Sequence, residues 1–134
     1  MSDRKRIPLE RESVTHRFSI GGFRCYITVG LYPDRRPGEV FLRAAKAGST
    51  ISGLMDSIAL LISLSLQYGV PVEDVCRILR HQRFEPLGIV DGIAEVTAAA
   101  SLIDYVAAYL SFRHGTGEAA GMPRDRTLTE TGTS

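Results

Sequence analysis

The sequence predicts an α+β domain in which a three-stranded antiparallel meander packs against about three α-helices. Side chains alternate with a period of two through the first third of the chain, and the period changes to 3.6 after Gly48. Size agrees: 134 residues, 44% of them hydrophobic, have room for one core and no second domain of comparable size.

Each element follows in order. Met1 to Ser13 hold Arg4, Lys5 and Arg6 ahead of Pro8, fit neither period, and are expected to form a flexible basic arm over residues 1–13. From Thr15 to Ile20, His16, Phe18 and Ile20 alternate with Thr15, Arg17 and Ser19, as in a half-buried strand. Gly21 and Gly22 supply a turn, and Phe23, Cys25, Ile27, Val29 and Leu31 alternate with mixed residues in a second strand. Pro33, Asp34, Pro37 and Gly38 mark the next turn, before Val40, Leu42 and Ala44 alternate with Phe41 and Arg43. Ser49 or Thr50 is placed to cap a helix running to about Tyr68 and ended by Gly69. Pro71, Glu73 and Asp74 suit the start of a shorter helix reaching about His81. After a loop through Phe84, Pro86, Gly88 and Gly92, a third helix carries Val96, Leu102, Ile103, Val106 and Leu110 and ends near His114. The domain thus occupies residues 14–114. Residues 115–134 read as a disordered tail, because almost nothing there is apolar enough to offset the entropy of ordering.

Charge narrows the function classes. Sixteen Lys and Arg against 15 Asp and Glu leave a formal charge of +1, which argues against nonspecific nucleic-acid binding as the main task. Two cysteines, Cys25 and Cys76, make neither a disulfide framework nor a thiolate zinc site, and no apolar leader opens the chain, so a cytoplasmic protein with reduced thiols is expected. The apolar stretch Ile51 to Val70 approaches membrane-spanning length, yet holds Asp56, Gln67 and four serines. Asp56 in a bilayer would cost roughly 2.5 to 3.5 kcal/mol. The stretch is therefore expected to be a buried core helix, with Asp56 hydrogen-bonded inside the fold and no membrane partner.

Candidate sites are few. Lys46, Gly48, Ser49 and Thr50 sit where a strand gives way to a helix, so N–H groups, hydroxyls and a cation are placed to meet an anion such as a nucleotide phosphate. Ordinary capping by Ser49 or Thr50 needs no ligand, and the segment lacks the spaced glycines of a phosphate loop. Arg77, Arg80 and His81, with Arg83 close behind, form a basic patch fit for phosphates or an acidic partner, or simply a solvated helix face. Tyr26, Tyr32 and Phe41 on the mixed strand face are candidate interface anchors. Cys25 and Cys76 read as core fillers, although Arg77 beside Cys76 would favour its thiolate. His16 shares a face with Phe18 and Ile20 and reads as a satisfied core or edge histidine; no metal ligand set is present.

One resemblance runs through most of the chain. Thr15, His16 and Phe18, then Ile20, Gly21 and Gly22, then Tyr26 and the run Thr28 to Tyr32 appear in order. Pro37, Gly38 and Glu39 follow, then Lys46, Gly48, Ser49 and Thr50, Gly53 to Asp56, Leu66 to Pro71 and Arg83 to Pro86. Val14 to Phe112 thereby resembles the carboxy-terminal domain of class II, adenosylcobalamin-dependent ribonucleotide reductases, the TSCPD domain. The resemblance implies an oxidoreductase family that makes DNA precursors by thiyl-radical reduction of ribonucleoside diphosphates. It implies that the radical thiol, the reducing cysteine pair and adenosylcobalamin belong to a barrel domain and to distal cysteines that have no counterpart among these residues. The expected role is a free-standing relative of the accessory domain, not catalytic alone and binding no cofactor alone, acting through a reductase catalytic chain or as a homo-oligomer. The alternative is a small nucleotide or single-stranded nucleic-acid binding module.

Overall fold

The computed structural model describes residues 3–115 of the chain. The element order is β1 (Ser13–Ile20), β2 (Phe23–Leu31), β3 (Pro37–Ala44), α1 (Ser49–Gln67), α2 (Val72–Leu79), β4 (Gly88–Asp91), β5 (Ala98–Ala99) and α3 (Leu102–His114). This is the α+β class with the meander and three helices that the periods predict. Two short strands extend the meander into one sheet ordered β3-β2-β1-β4-β5. All its pairings are antiparallel. The turn between β1 and β2 places Gly21 and Gly22 at φ 54° and 87°, and a Cβ on Gly21 would meet the Leu87 carbonyl oxygen at 2.6 Å. The expected tail lies outside the described residues from position 116 onward.

Alternation decides what each strand buries. Phe18, Ile20, Cys25, Ile27, Val29, Val40 and Leu42 join one core with Met55, Ala59 and Ile62 of α1, Cys76 of α2, and Tyr105, Val106, Tyr109 and Leu110 of α3. Arg17, Phe41 and Arg43 occupy the opposite, exposed face. α3 is buried along Leu102 to Leu110, its N-cap Ser101 accepting the Asp104 N–H at 3.0 Å.

α1 departs from expectation. It lies along the outer edge of β3, where the Ser63 hydroxyl accepts the Val40 N–H at 2.8 Å and donates to the Val40 carbonyl at 3.2 Å. Its buried residues are only Met55, Ala59, Ile62 and Gln67. Leu54, Leu60 and Leu61 face water, and so does Asp56, so this is an edge-covering helix and not the buried core helix the composition predicts. By length and composition it is also the one helix among the described residues long and apolar enough to cross a membrane. Gly69 ends it at φ 90°, as expected.

Ahead of β1, Arg4 Nε donates to Gln67 Oε1 at 2.7 Å and the Lys5 N–H to the Gln67 carbonyl at 2.8 Å. Arg11 meets the Glu39 carboxylate at 2.6 Å. Gln67 also donates to the Gly38 carbonyl at 2.9 Å, so one carboxamide joins β3 to the segment that leads into β1.

Candidate functional site

Three regions hold the residues that the sequence singles out. The first is the passage from β3 into α1. Lys46 turns the chain in the left-handed region at φ 62°, and Gly48 is the N-cap. No side chain caps this helix and no acidic residue occupies its first turn, so the capping expected of Ser49 or Thr50 is not made. All four positions are exposed. The first-turn N–H groups therefore carry the positive end of a 19-residue helix without a side-chain acceptor. A cavity of about 540 Å³ adjoins them, with Lys46, Gly48, Ile51 and Phe23 on one side and Glu85 and Leu87 on the other. An anion there would share the space with the Glu85 carboxylate.

The basic patch is largely neutralised. α2 ends at Leu79, so Arg80 and His81 lie beyond the helix rather than on its face. Arg77 is paired with Asp74 at 2.8 Å and Arg80 with Asp104 at 2.9 Å. His81 turns at φ 68° and gives its N–H to Asp104 at 2.7 Å. Asp104, which the sequence reading did not single out, also accepts the Ala100 N–H at 2.8 Å. Burial pushes its carboxyl pKa upward, but the Ala100 and His81 N–H groups and the Arg80 guanidinium together outweigh burial and hold it below the usual carboxylate value. The signal for it is present in the sequence: Ser101 three residues before Asp104 is a capping spacing.

The third region is the outer face of β3 with the groove beside it. Phe41 is exposed, and Tyr26 lies under the Arg43 guanidinium, 4.7 Å from ring centre to carbon. Tyr32 is not a surface anchor. It is 4% exposed, donates its hydroxyl proton to the Lys5 carbonyl, and is flanked by Lys5 and Arg36. Strand alternation places it with the other two aromatics, but it lies past the end of β2, where the alternation no longer applies. Between β3 and α1 runs an open groove of about 1050 Å³, walled by Phe41 and Leu42 on one side and by Leu60, Leu61 and Leu64 on the other, with Arg4 among its lining residues.

The sulfur and imidazole groups are structural. Cys25 is fully buried and burial pushes its thiol up to about 11. Burial pushes Cys76 up to about 12 despite Arg80 nearby, so the thiolate stabilisation anticipated from Arg77 does not arise. His16 stacks on Tyr109 with ring centres 4.4 Å apart, and its Nε2 lies 2.8 Å from the Tyr105 hydroxyl. That hydroxyl also accepts the Ile93 N–H at 3.2 Å, so Tyr105 ties the His16 ring to the Ile93 backbone. Burial, and Arg113 after it, lower the His16 pKa. Among the described residues no three His, Cys, Asp or Glu side chains are grouped to hold a metal.

The sequence matches known proteins over most of its length. The model of the TSCPD domain family matches residues 3–111. A vitamin B12-dependent ribonucleotide reductase of Rhodopirellula baltica is 46% identical over 114 residues, which are 85% of this chain and 11% of that protein. Proteins of the same name from Streptantibioticus cattleyicolor and Agrobacterium fabrum are 44% and 36% identical over 103 and 104 residues, 77% and 78% of this chain but 17% and 8% of theirs. The chain thus spans less than a fifth of the length of these relatives. No solved structure matches it at a significant level.

Proposed function

The chain belongs to the TSCPD domain family, and from that membership we propose that it serves ribonucleotide reduction as an accessory domain, by contact with a reductase catalytic chain. The observation that carries this reading is the close identity to a small part of much longer reductases, combined with two thiols that are both buried and held protonated. A radical or reducing thiol must be accessible and ionisable, and neither Cys25 nor Cys76 is. The residues do not fit cobalamin either. Among the described residues the larger spaces are grooves open to solvent, and the Nε2 of His16 is engaged by Tyr105. No catalytic step is assigned to this chain.

Affinity capture of the purified protein with the class II reductase chain of the same organism, followed by deoxynucleotide assay of the pair, tests the proposal. Co-elution and a change in turnover are expected. Separate elution with unchanged turnover overturns it, as does deoxynucleotide formation by this protein alone with coenzyme and dithiol.

A second reading rests on the uncapped start of α1. Lys46, Gly48, Ser49 and Thr50 would take the phosphate of a nucleotide or of single-stranded nucleic acid, with Arg83 the patch residue that no carboxylate among the described residues is shown to engage. Titration with ribonucleotides, deoxyribonucleotides and an oligonucleotide at two salt concentrations should then raise thermal stability, less at high salt. Unchanged stability with all three removes this reading.

A further inference from the structure

We infer that the outward face of α1 is the interface of a two-fold symmetric dimer in which a second copy of this chain lays its own α1 antiparallel across it. A helix with large apolar residues both toward the sheet and away from it calls for cover on more than one side. α1 is covered on one, by the edge of β3, while Leu54, Leu60 and Leu61 stay 58%, 69% and 64% exposed. With Leu64, Tyr68 and neighbouring Phe41, they leave on the order of 600 Å² of apolar side chain in water, at roughly 200 Å² for a large side chain. That is as much as the largest patch of an ordinary monomer, about 300–600 Å². Two such faces joined would bury about 1,200 Å² of apolar surface before any polar rim, within the range of a stable interface.

Area and shape both point to a second copy as the occupant. On the outward face Gly53 and Ser57 are small and exposed in the first half, beside Leu54, and the second half carries Leu60, Leu61, Leu64 and Tyr68. Nothing lies within 4 Å of a Cβ built on Gly53, so a hollow stands open there. An antiparallel register that sets Gly53 against Leu64 of the second copy also sets Ser57 against Leu60, so these two leucines each meet a small residue, and a two-fold axis repeats this on the other half. Asp56 is the one charge between Ser49 and Val70, so each helix brings a single carboxylate to the pair. An anionic lipid surface would find no basic residue in the last turn of this helix to hold it.

Three measurements on the full chain decide the matter. Sedimentation at micromolar concentration should give a dimer, and Leu61→Asp, at an exposed position, should give a monomer whose circular dichroism is unchanged. The double variant Gly53→Cys with Leu64→Cys should cross-link between chains on mild oxidation, while either single variant should not, because like positions lie too far apart along the paired helices. The native thiols are buried and add no background. A wild-type monomer, a Leu61→Asp dimer, a double variant that fails to cross-link, or a monomer that instead floats with phosphatidylserine vesicles each overturns the inference. It stands apart from the reductase proposal: a dimer that captures no reductase would end that proposal and leave this one intact.

Discussion

Ser63 holds both backbone hydrogen-bonding groups of Val40, accepting its N–H at 2.8 Å and donating to its carbonyl at 3.2 Å. A side chain of α1 thus stands where the next strand of the sheet would be, which satisfies the edge of β3 without a further strand. Ser63→Ala leaves the pair without that partner in a partly buried position. A loss of about 1 kcal/mol is expected, read as a lower urea midpoint with an unchanged slope.

Asp104 draws together Arg80, the His81 N–H and the Ala100 N–H around the start of α3. Asp104→Ala should lower stability by about 3 kcal/mol, because two N–H groups lose their acceptor. Its folded pKa is depressed, so the stabilisation is complete above the unfolded value near 4 and is lost as pH falls through the lower folded value. Acid titration of stability below pH 4 should accordingly be shallower in Asp104→Ala than in the wild type.

His16 should titrate in the opposite regime. Its pKa is lowered, by burial first and by Arg113 second, so the folded protein binds fewer protons than the unfolded chain just below pH 6.5. Stability should fall as pH drops below that value until the folded pKa is reached. His114, also lowered by burial, contributes in the same direction. His16→Gln should weaken this dependence, and a His16 ring resonance titrating at or above 6.5 in the native protein would contradict it.

Cys25 and Cys76, with thiols raised to about 11 and about 12, should resist iodoacetamide at pH 8 in the native state and react together once the chain is unfolded. Labelling of either in the native protein would refute their assignment as core residues.

Much of the fold was readable in the chain. The alternation of Phe18 and Ile20, and of Cys25, Ile27 and Val29, places those residues in the core where the structure has them, because period-two burial is a local property. β4 and β5, four and two residues long, are too short for any period to register. The lining of α1 was not readable for another reason. A helix this rich in apolar residues has the composition of a buried one, and which side remains open depends on β3, brought alongside from elsewhere in the sequence. The pairing of Arg80 was likewise not readable, since Asp104, 24 residues away, is invisible to spacing on one helix.

The position of Gln67 bears on where this domain can be cut. Its carboxamide spans the Gly38 carbonyl and the Arg4 guanidinium, and its carbonyl takes the Lys5 N–H, so a chain trimmed to begin at Ser13 would surrender two of these three anchors at once and bare the last turn of α1. Expression boundaries for this domain accordingly belong at residue 3, where the family match starts, rather than at the first strand.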